Sequence, residues 1–311
     1  MIPSTIPHGR TARRLDWAHL PPMVRAEIER RIGTTVVHTV SQGGGFTPGF
    51  ASVLLGDDGT RHFVKAASVK AQRVFAESYR IEARRLRSLP PDSPAPRLLW
   101  ADEVDDWMLM ETEYVDGRAP QRPWTLEELA AASDMLVTAA DVLTPAPGLG
   151  LDRAVDDWAD WVDLWDRIDL PHADECRELA ARFADVVDGT TLVHSDVRDD
   201  NIIVRHDGTT ALCDWNWVVM GAAWLDSLFL LIGPRGDGLD VEAHIAAHPL
   251  LSTVDPGAID VVLALVLGFF AFNAAQPAPH TSPYVRKAQA WQRDVVLDWL
   301  VERRGWAPHL D

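Results

Sequence analysis

The amino-acid sequence predicts an α+β chain of two lobes, with an antiparallel sheet first and a larger, mostly helical part after it. Three observations lead to this prediction. Short segments in the first 110 residues alternate apolar and polar side chains, and a turn containing Asp58-Gly59 joins two of them. Beyond residue 118, apolar residues recur mainly at helical spacing. A chain of 311 residues is also long enough to give two lobes a sizeable core.

Composition and charge limit the classes of protein to consider. Hydrophobic residues make up 47% of the chain and charged residues 24%, which is ordinary for a soluble globular protein. The formal net charge of −17 disfavours nucleic acid and anionic membrane surfaces as partners, and it is compatible with a cationic ligand. Cys176 and Cys213 are too few for a disulfide framework. The first residues lack the apolar run of a signal peptide, and the longest apolar run, 261–272, is too short to span a bilayer. We therefore expect a cytoplasmic protein, whose oligomeric state the sequence does not indicate.

The first lobe is predicted to begin with a helix at 22–31, which Gly33 ends, and to continue with a sheet. The predicted strands are 35–41, 50–55, 61–66, 98–101 and 107–110. The loop between the first two strands contains Gly43, Gly44 and Gly45. Glycines allow the backbone to approach phosphates closely and to offer N–H groups to them. A glycine-rich hairpin loop without a ligand is the alternative interpretation.

Lys65 on the third strand has a predicted partner on the following helix, at 69–89. Four residues on one face of that helix are apolar or aromatic: Phe75, Tyr79, Leu86 and Leu89. Glu82 falls in the middle of this face. A buried carboxylate is costly unless it is paired, so we predict an ion pair between Glu82 and Lys65. Glu77 lies on a different face and is the less favoured partner.

Oxygen-bearing side chains converge at one end of a predicted hairpin in the second lobe. A polar loop with Asp196 and Asn201 precedes the strand at 202–204, and the returning strand at 211–213 brings Asp214 to the same end. Such a cluster suits Mg²⁺, which binds through one or two carboxylates together with substrate phosphates. An acidic hairpin loop without this chemistry is the alternative.

The order of these residues resembles the catalytic core of kinase-like phosphotransferases. It reads His194-x-Asp196-x-x-x-x-Asn201, followed by Asp214 after the hairpin. The small residue after His194 and the dipeptide Asp214-Trp215 are more similar to the aminoglycoside phosphotransferase family than to protein kinases. The resemblance covers about residues 30–230. It implies a bilobal protein-kinase-like fold with a nucleotide-binding lobe at 1–110, a hinge at 111–117 and a catalytic and acceptor-binding lobe at 118–311.

The resemblance implies a site for ATP or GTP, between which the sequence does not distinguish. Lys65, positioned by Glu82, would contact the nucleotide phosphates under the glycine-rich loop. Met110, Glu111 and Glu113 would line the base pocket, mainly through their backbone. An ordinary exit from strand to loop explains these three residues equally well on local pattern.

The resemblance also implies roles in phosphate transfer. Asn201 and Asp214 would hold Mg²⁺, and Asp196 would accept the proton of the attacking hydroxyl. Arg198 falls where protein kinases often place a lysine that contacts the γ-phosphate, although a neighbouring aspartate could instead engage it. Asn216 departs from the acid often seen at its position, which leaves a second metal contact open.

Two further residues are expected to be structural. His194 would hold the catalytic loop, and Asp226 would brace that loop by hydrogen bonds. Only twelve positions separate Asp214 from Asp226, which leaves no room for a long activation loop, so a protein substrate is disfavoured.

The rest of the second lobe is predicted to be helical and to shape the acceptor site. A capping box at Thr125 opens a helix that reaches about 143, and the segment 156–166 carries tryptophans on one helical face. Asp160 and Asp163 share another face. A solvated acidic face is the ordinary interpretation, and a wall that binds amino groups of an acceptor is the alternative that the family suggests. A last helix is expected at 283–304.

The predicted activity is Mg²⁺-dependent transfer of the terminal phosphate of ATP or GTP to a hydroxyl of a small molecule. An antibiotic, in resistance or natural-product modification, is the expected acceptor. Two alternatives stay open. One is a metabolic kinase of the choline, homoserine or fructosamine type, and the other is a nucleotide-binding module without turnover. Intact Lys65, Asp196, Asn201 and Asp214 argue against the second alternative.

Overall fold

The computed structural model describes residues 1–148 and 150–307. The first lobe contains a five-stranded antiparallel sheet in the order β1-β2-β3-β5-β4. Its strands are β1 (Val36–Ser41), β2 (Phe50–Gly56), β3 (Arg61–Ser68), β4 (Leu98–Val104) and β5 (Trp107–Thr112). All five predicted strands are present. Strands β3, β4 and β5 run two or three residues further than alternation indicated, because cross-strand pairing continues through residues whose pattern is irregular.

Helices α1 (Pro22–Ile32) and α2 (Arg73–Ser88) cover opposite faces of this sheet. Alternate residues of a strand point to opposite faces, and β3 shows this directly. Val64 and Ala66 belong to the cluster of apolar side chains that includes α1, whereas Ala67 belongs to the cluster that includes α2. Lys65 therefore points toward α2. Helix α1 ends at Gly33, as predicted, with a left-handed φ of 78°.

The second lobe is mostly helical, and two small sheets lie within it. The strands β7 (Thr191–Val193) and β10 (Val219–Gly221) form one sheet, and β6 (Gly117–Arg118), β8 (Ile202–Arg205) and β9 (Thr210–Leu212) form the other. The predicted hairpin is β8–β9. The sequence did not indicate β6 or β10, because two or three residues are too few to show a period.

The helices of the second lobe surround one apolar core. They are α3 (Leu126–Val142), α4 (Ala154–Asp157), α5 (Ala173–Ala180), α6 (Ala184–Val187), α7 (Leu225–Leu230), α8 (Ile232–Gly236), α9 (Val241–Ala247), α10 (Pro256–Ala274) and α11 (Val285–Arg304). Short 3₁₀ helices lie at Trp17–His19, Ala159–Arg167, Asp199–Asn201 and Leu251–Thr253. The predicted capping box is present, since the N–H of Glu128 donates to Thr125 Oγ1 at 3.2 Å.

Helix α10 contains the longest apolar run and is longer than that run suggested. Its 19 residues have a mean hydropathy of 2.0 in the most apolar window, so by length and composition alone it could cross a membrane. However, 61% of that window is buried inside the protein. Residues 261–267 are all buried in the core, where α10 packs against α11 and α5. We therefore interpret α10 as the core helix of the second lobe.

Candidate active site

Lys65 lies at the centre of a buried ionic cluster between the lobes. Its Nζ donates to both carboxylate oxygens of Glu82, each at 2.8 Å, and it also contacts Asp214 Oδ1. Lys65 is 6% exposed and Glu82 is 3% exposed. The predicted ion pair is therefore present, and the hairpin adds Asp214 to it. Glu77, the less favoured partner, is instead at the surface and paired with Arg80.

The charges in this cluster stabilise one another. Burial alone would raise the pKa of Asp214, but the Lys65 ammonium outweighs it and lowers this pKa to about 2. Burial would lower the pKa of Lys65, yet Asp214 and Glu82 raise it above its ordinary value. At neutral pH the cluster therefore contains an ionised Asp214 next to a charged Lys65. Asp214 has a left-handed φ of 63°, a strained conformation for a residue with a side chain.

The loop before β8 fixes the orientation of Asp196 at the edge of a cavity. Asn201 Nδ2 donates to the backbone carbonyl of Asp196 at 2.7 Å and to Asp196 Oδ2 at 3.1 Å. Arg198 Nη1 contacts the other carboxylate oxygen. A carboxylate has about four acceptor positions, so these contacts leave Asp196 able to accept a further hydrogen bond. Its half-buried side chain lines the cavity.

Arg198 connects this loop with the glycine-rich loop. Its Nε and Nη2 donate to the two oxygens of Asp200 at 2.9 and 3.2 Å, and its guanidinium lies over the Phe46 ring, 5.2 Å from the centroid. Asp200 therefore engages Arg198, which was the alternative that the sequence left open. Burial alone would lower the pKa of Arg198, but Asp196 and Asp200 raise it. Arg198 is a permanent cation that also touches Asp196.

The glycine-rich loop offers a backbone N–H to an anionic oxygen. The N–H of Gly45 donates to Asp200 Oδ2 at 3.1 Å. Gly45 has a φ of 73°, which glycine adopts without strain. A Cβ on Gly43 would lie 2.8 Å from the carbonyl oxygen of Gly9, so a side chain there would collide with backbone. Gly44 contacts Arg14 through its carbonyl.

Residues 1–16, here called the N-terminal segment, also take part in the site, and sequence reasoning missed them. The N–H of Thr11 donates to the carbonyl of Gly43 at 2.8 Å. Near the other end of the segment, the N–H of Ile2 donates to the carbonyl of Gly236 at 2.7 Å, and Trp291 Nε1 donates to the carbonyl of Ile2 at 2.9 Å. The segment thus runs from the second lobe to the glycine-rich loop. It is irregular, so no periodic pattern could have revealed its position.

Asp226 and His194 make hydrogen bonds to the loop between β7 and β8. The two oxygens of Asp226 accept from the backbone N–H groups of His194 and Ser195 at 2.7 and 2.9 Å. The fully buried His194 lies with Nε2 2.8 Å from the carbonyl of Cys213, to which that nitrogen donates. Its Nδ1 then accepts from the N–H of Asp196 at 3.3 Å. Burial raises the pKa of Asp226.

The predicted hinge residues lie at the end of β5. Met110 is buried and is the cross-strand neighbour of Lys65. The side chain of Glu111 is also buried, with one oxygen 2.6 Å from His62 Nδ1. The N–H of Glu113 donates to the carbonyl of Arg97 at 2.8 Å. This N–H is therefore not free to bind a base, because β-type pairing with the segment before β4 continues through Glu113. The carbonyl of Glu113 and the backbone beyond it are the remaining candidates.

A cavity of about 950 Å³ opens beside Asp196 between the lobes. Many of its walls are aromatic, and these side chains are Phe46, Phe75, Trp124, Trp158, Trp161, Trp217, Phe229, Phe269, Phe270 and Trp291. Trp161 stacks on Phe269 with 4.4 Å between ring centroids and on Trp158 with 5.3 Å. Trp158 is buried, whereas Trp161 is only half-buried and faces the cavity.

Asp160 and Asp163 lie on a solvated acidic face, which is the ordinary interpretation of their pattern. Within residues 1–148 and 150–307 neither lines this cavity, so the alternative of an acceptor-binding wall finds no support there. The prediction assumed an α-helix, whereas Ala159–Arg167 is a 3₁₀ helix with about three residues per turn. Asp160 and Asp163 are three residues apart, so they share one exposed face at this period as well. Asp157, which precedes the 3₁₀ helix, lines the cavity instead.

Asn201 and Asp214 are suited to hold Mg²⁺. Asn201 Oδ1 is buried and has no hydrogen-bond partner among the described residues, and Asp214 lines the cavity. Amide and carboxylate oxygens are the ligands that this ion prefers. Asn216 Oδ1 is also buried without a partner in the described chain, and its Nδ2 donates to Ser78 Oγ at 2.6 Å. Residues 1–148 and 150–307 contain no group of three or more His, Cys, Asp or Glu that could hold a metal.

The antiparallel sheet with its Lys65–Glu82 pair, the helical lobe and the hairpin that presents Asp214 define the kinase-like phosphotransferase fold. No protein-family model and no curated protein sequence matches the chain. Solved structures do match it. An aminoglycoside phosphotransferase from Alicyclobacillus acidocaldarius is 16% identical with a TM-score of 0.55, over 93% of this chain and 97% of that one.

Two further structures extend this likeness. Choline kinase LicA from Streptococcus pneumoniae is 14% identical with a TM-score of 0.59, over 90% of this chain and 98% of that one. A thermostable mutant of the aminoglycoside phosphotransferase APH(4)-Ia, in ternary complex with ADP and hygromycin B, is 14% identical with a TM-score of 0.60, over 90% and 98%. The predicted bilobal kinase-like fold, similar to that of aminoglycoside phosphotransferases, is therefore confirmed.

Proposed function

We propose that the protein is an enzyme that transfers the terminal phosphate of ATP or GTP to a hydroxyl of a small molecule. The observation that most supports this function is the convergence of four side chains on the cleft between the lobes. Lys65 contacts Asp214, and Asn201 holds Asp196 beside them. Similar structures have been solved with ADP and with AMP, which supports a nucleotide as the phosphate donor.

The donor binds under the glycine-rich loop in this proposal. The Gly45 N–H, which now donates to a carboxylate, would donate to a phosphate oxygen. Lys65, fixed by Glu82, would contact the phosphates as a rigid cation. Met110 and the backbone from Glu113 onward would border the base. The N–H of Glu113 is engaged with Arg97, whereas its carbonyl can still accept a hydrogen bond.

Phosphate transfer then depends on the catalytic loop. Asn201 and Asp214 would hold Mg²⁺, and the charge of this ion would offset the negative charge of the phosphates. Asp196 accepts the proton of the attacking hydroxyl and orients that hydroxyl toward the terminal phosphorus. Arg198 contacts Asp196. When a phosphate competes with the aspartates for Arg198, the guanidinium stabilises the transferred phosphate as a fixed cation. Asp226 and His194 keep the loop in place.

The cavity beside Asp196 supports a large acceptor with apolar surface. Its volume of about 950 Å³ is at the upper end of small-molecule sites, and aromatic rings supply much of its wall. Asp157, Asp199 and Asp237 also line it, which suits a cationic group. These features favour a hydroxylated antibiotic of substantial size over a compact metabolite of the choline or homoserine type. A cytoplasmic location remains a prediction.

The test is nucleoside diphosphate release with ATP and with GTP against a panel of hydroxylated antibiotics and metabolites, with mass spectrometry of each acceptor. We expect a phosphorylated product that requires Mg²⁺ and disappears in Asp196→Asn. Asp160→Asn is the matched control, because Asp160 is exposed outside the cavity, and it should retain wild-type turnover. Full activity of Asp196→Asn would remove Asp196 as the base. Absence of Mg²⁺-nucleotide binding by the wild-type protein would overturn the proposed function.

A further inference from the structure

Arg14 reaches the space beneath the glycine-rich loop from the N-terminal segment. Its Nη2 donates to the carbonyl of Gly44 at 2.7 Å, and its Nη1 lies 3.5 Å from the carbonyl of Gly49. A Cβ built on Gly45 would lie 3.5 Å from Arg14 Nη2 and 3.8 Å from Asp214 Oδ2. The guanidinium and the carboxylate thus border the same small space under the loop.

The guanidinium has donors that the protein does not use. A guanidinium carries five N–H groups, and the contacts of Arg14 are the two loop carbonyls. Its Nε is buried and has no hydrogen-bond partner within residues 1–148 and 150–307. A buried donor without an acceptor is costly, so an arginine held in this position indicates an acceptor that binds there.

Arg14 also differs from the other two cations of the site in its charge partners. Lys65 is shared between Glu82 and Asp214, and Arg198 between Asp196 and Asp200. Arg14 makes no direct ion pair in the part of the chain that the structure describes, and its charge acts on Asp214 only at longer range. A nucleotide triphosphate next to Asp214 brings several negative charges into this space, and a cation without a direct ion pair can bind them.

We propose that Arg14 binds the phosphates of the donor nucleotide, as a cation delivered by the N-terminal segment. This proposal rests on the proposed function, and it adds a binding residue outside the kinase-like motifs. The segment is held firmly enough for this role, because Thr11 Oγ1 donates to the carbonyl of Gly45 at 2.5 Å and Ile2 is bound to the second lobe. Forked donors of arginine match phosphate oxygens in geometry.

A purely structural role for Arg14 makes a different prediction. If Arg14 only tethers the glycine-rich loop, its removal disturbs the loop for every ligand that binds below it. Affinity for a nucleoside and for its triphosphate would then change by the same factor. A phosphate contact instead changes the triphosphate alone. The ratio of the two dissociation constants separates the two roles.

The experiment is calorimetric titration of the full chain with the preferred triphosphate, ATP or GTP, with Mg²⁺, and with the corresponding nucleoside. We expect Arg14→Gln to weaken triphosphate binding about tenfold or more and to leave nucleoside binding nearly unchanged, since a hydrogen bond to a charged group is worth this much. Glutamine can still donate to the carbonyl of Gly44. Arg14→Lys should restore part of the lost affinity, because it restores the charge.

Two control variants define the alternatives. Arg13→Gln removes an exposed neighbouring charge and should leave the ratio of the two dissociation constants at its wild-type value. Thr11→Val removes a loop tether without changing charge and should weaken both ligands equally. The proposal is overturned if Arg14→Gln leaves the ratio unchanged, whether both affinities persist or both fall. If the wild-type chain binds neither triphosphate, the proposed function itself fails. That result differs from the one in which the wild type binds a triphosphate and Arg14→Gln binds it equally well, which would overturn only the role of Arg14.

Discussion

Replacement of Lys65 by methionine tests the ionic cluster at the centre of the site. Methionine is close to lysine in length and apolar, so the change removes the charge without opening a large cavity. It leaves Glu82 and Asp214 next to each other without the ammonium that both contact. Because Lys65 and Glu82 are almost fully buried, water cannot replace the lost partner. We expect a large loss of stability in the absence of nucleotide and metal.

The magnitude follows from the electrostatics of the cluster. Lys65 is the main cause that lowers the pKa of Asp214 from 3.8 to about 2, and this shift alone corresponds to roughly 2 kcal/mol. Glu82 loses two hydrogen bonds of 2.8 Å in the same change. Breaking a buried ion pair by removing one partner typically costs about 3–5 kcal/mol. We therefore expect the free energy of unfolding to fall by about 3–5 kcal/mol at pH 7.5.

The loss should depend on pH, and its sign can be worked out. In the wild type the lowered pKa of Asp214 contributes stability above pH 3.8, which is lost as the pH falls toward 2. In Lys65→Met the two neighbouring carboxylates have pKa values raised by burial and mutual repulsion. The repulsion between the two carboxylates destabilises the variant at pH values above these raised pKa values. This destabilisation is relieved when one of the two carboxylates binds a proton. The difference between variant and wild type should therefore be smaller at pH 5 than at pH 7.5.

The assay is urea denaturation followed by tryptophan fluorescence, in EDTA, at pH 5 and pH 7.5. Lys70→Met is the matched control, because Lys70 is exposed and pairs with Asp106 at the surface. Such pairs contribute little, so the control should change stability by less than about 1 kcal/mol at either pH. The variant Lys65→Met/Glu82→Gln should recover part of the loss. A Lys65→Met protein as stable as the control at pH 7.5 would refute the reasoning.

Three further predictions concern the catalytic loop, the metal site and the cavity. Asp226→Asn leaves one of two backbone N–H groups without an acceptor. In steady-state assays kcat should therefore fall at least tenfold while the pH profile of kcat keeps its shape. An altered pH profile would indicate a chemical role for Asp226. Asn201→Ala should raise the Mg²⁺ concentration needed for half-maximal nucleotide binding about tenfold or more, and an unchanged requirement in metal titrations would remove Asn201 from the metal site. Trp161→Ala removes an aromatic part of the cavity wall, so KM for the acceptor should rise about three- to tenfold while KM for the nucleotide stays unchanged. Equal changes in both KM values would contradict the proposal that the cavity binds the acceptor.

Regular elements and local motifs could be predicted from the sequence, because their signals lie within a few residues. The five strands and the hairpin around Asp214 show their period or their turn directly. Glu82 could be identified because a charge in an apolar helical face requires a partner, and Lys65 was the nearest candidate. Asp226 was assigned to bracing the loop by resemblance alone, and its two hydrogen bonds agree with that assignment.

Contacts between segments far apart in the chain could not be predicted in the same way. Arg14 lies in an irregular segment, and nothing near it indicates that it lies under a loop 30 residues further on. Asp199 pairs with Arg122, whose Nη2 donates to Asp199 Oδ1 at 2.7 Å, although 77 residues separate them. The segment that contains Asp160 and Asp163 shows another limit. Its tryptophans recur at a spacing that fits an α-helix, so the sequence did not indicate that Ala159–Arg167 is a 3₁₀ helix.

Asp200 links the proposed nucleotide site to Asp196, the proposed base. Its carboxylate accepts from the Gly45 N–H and from Arg198, and Arg198 in turn contacts Asp196. A phosphate oxygen at Gly45 would compete with Asp200 for the same N–H and for the same guanidinium. Binding of the donor therefore changes the partners of Arg198, and through Arg198 the hydrogen bonds of Asp196. An acceptor hydroxyl that needs Asp196 would meet the base in a different hydrogen-bonding state once the nucleotide is bound.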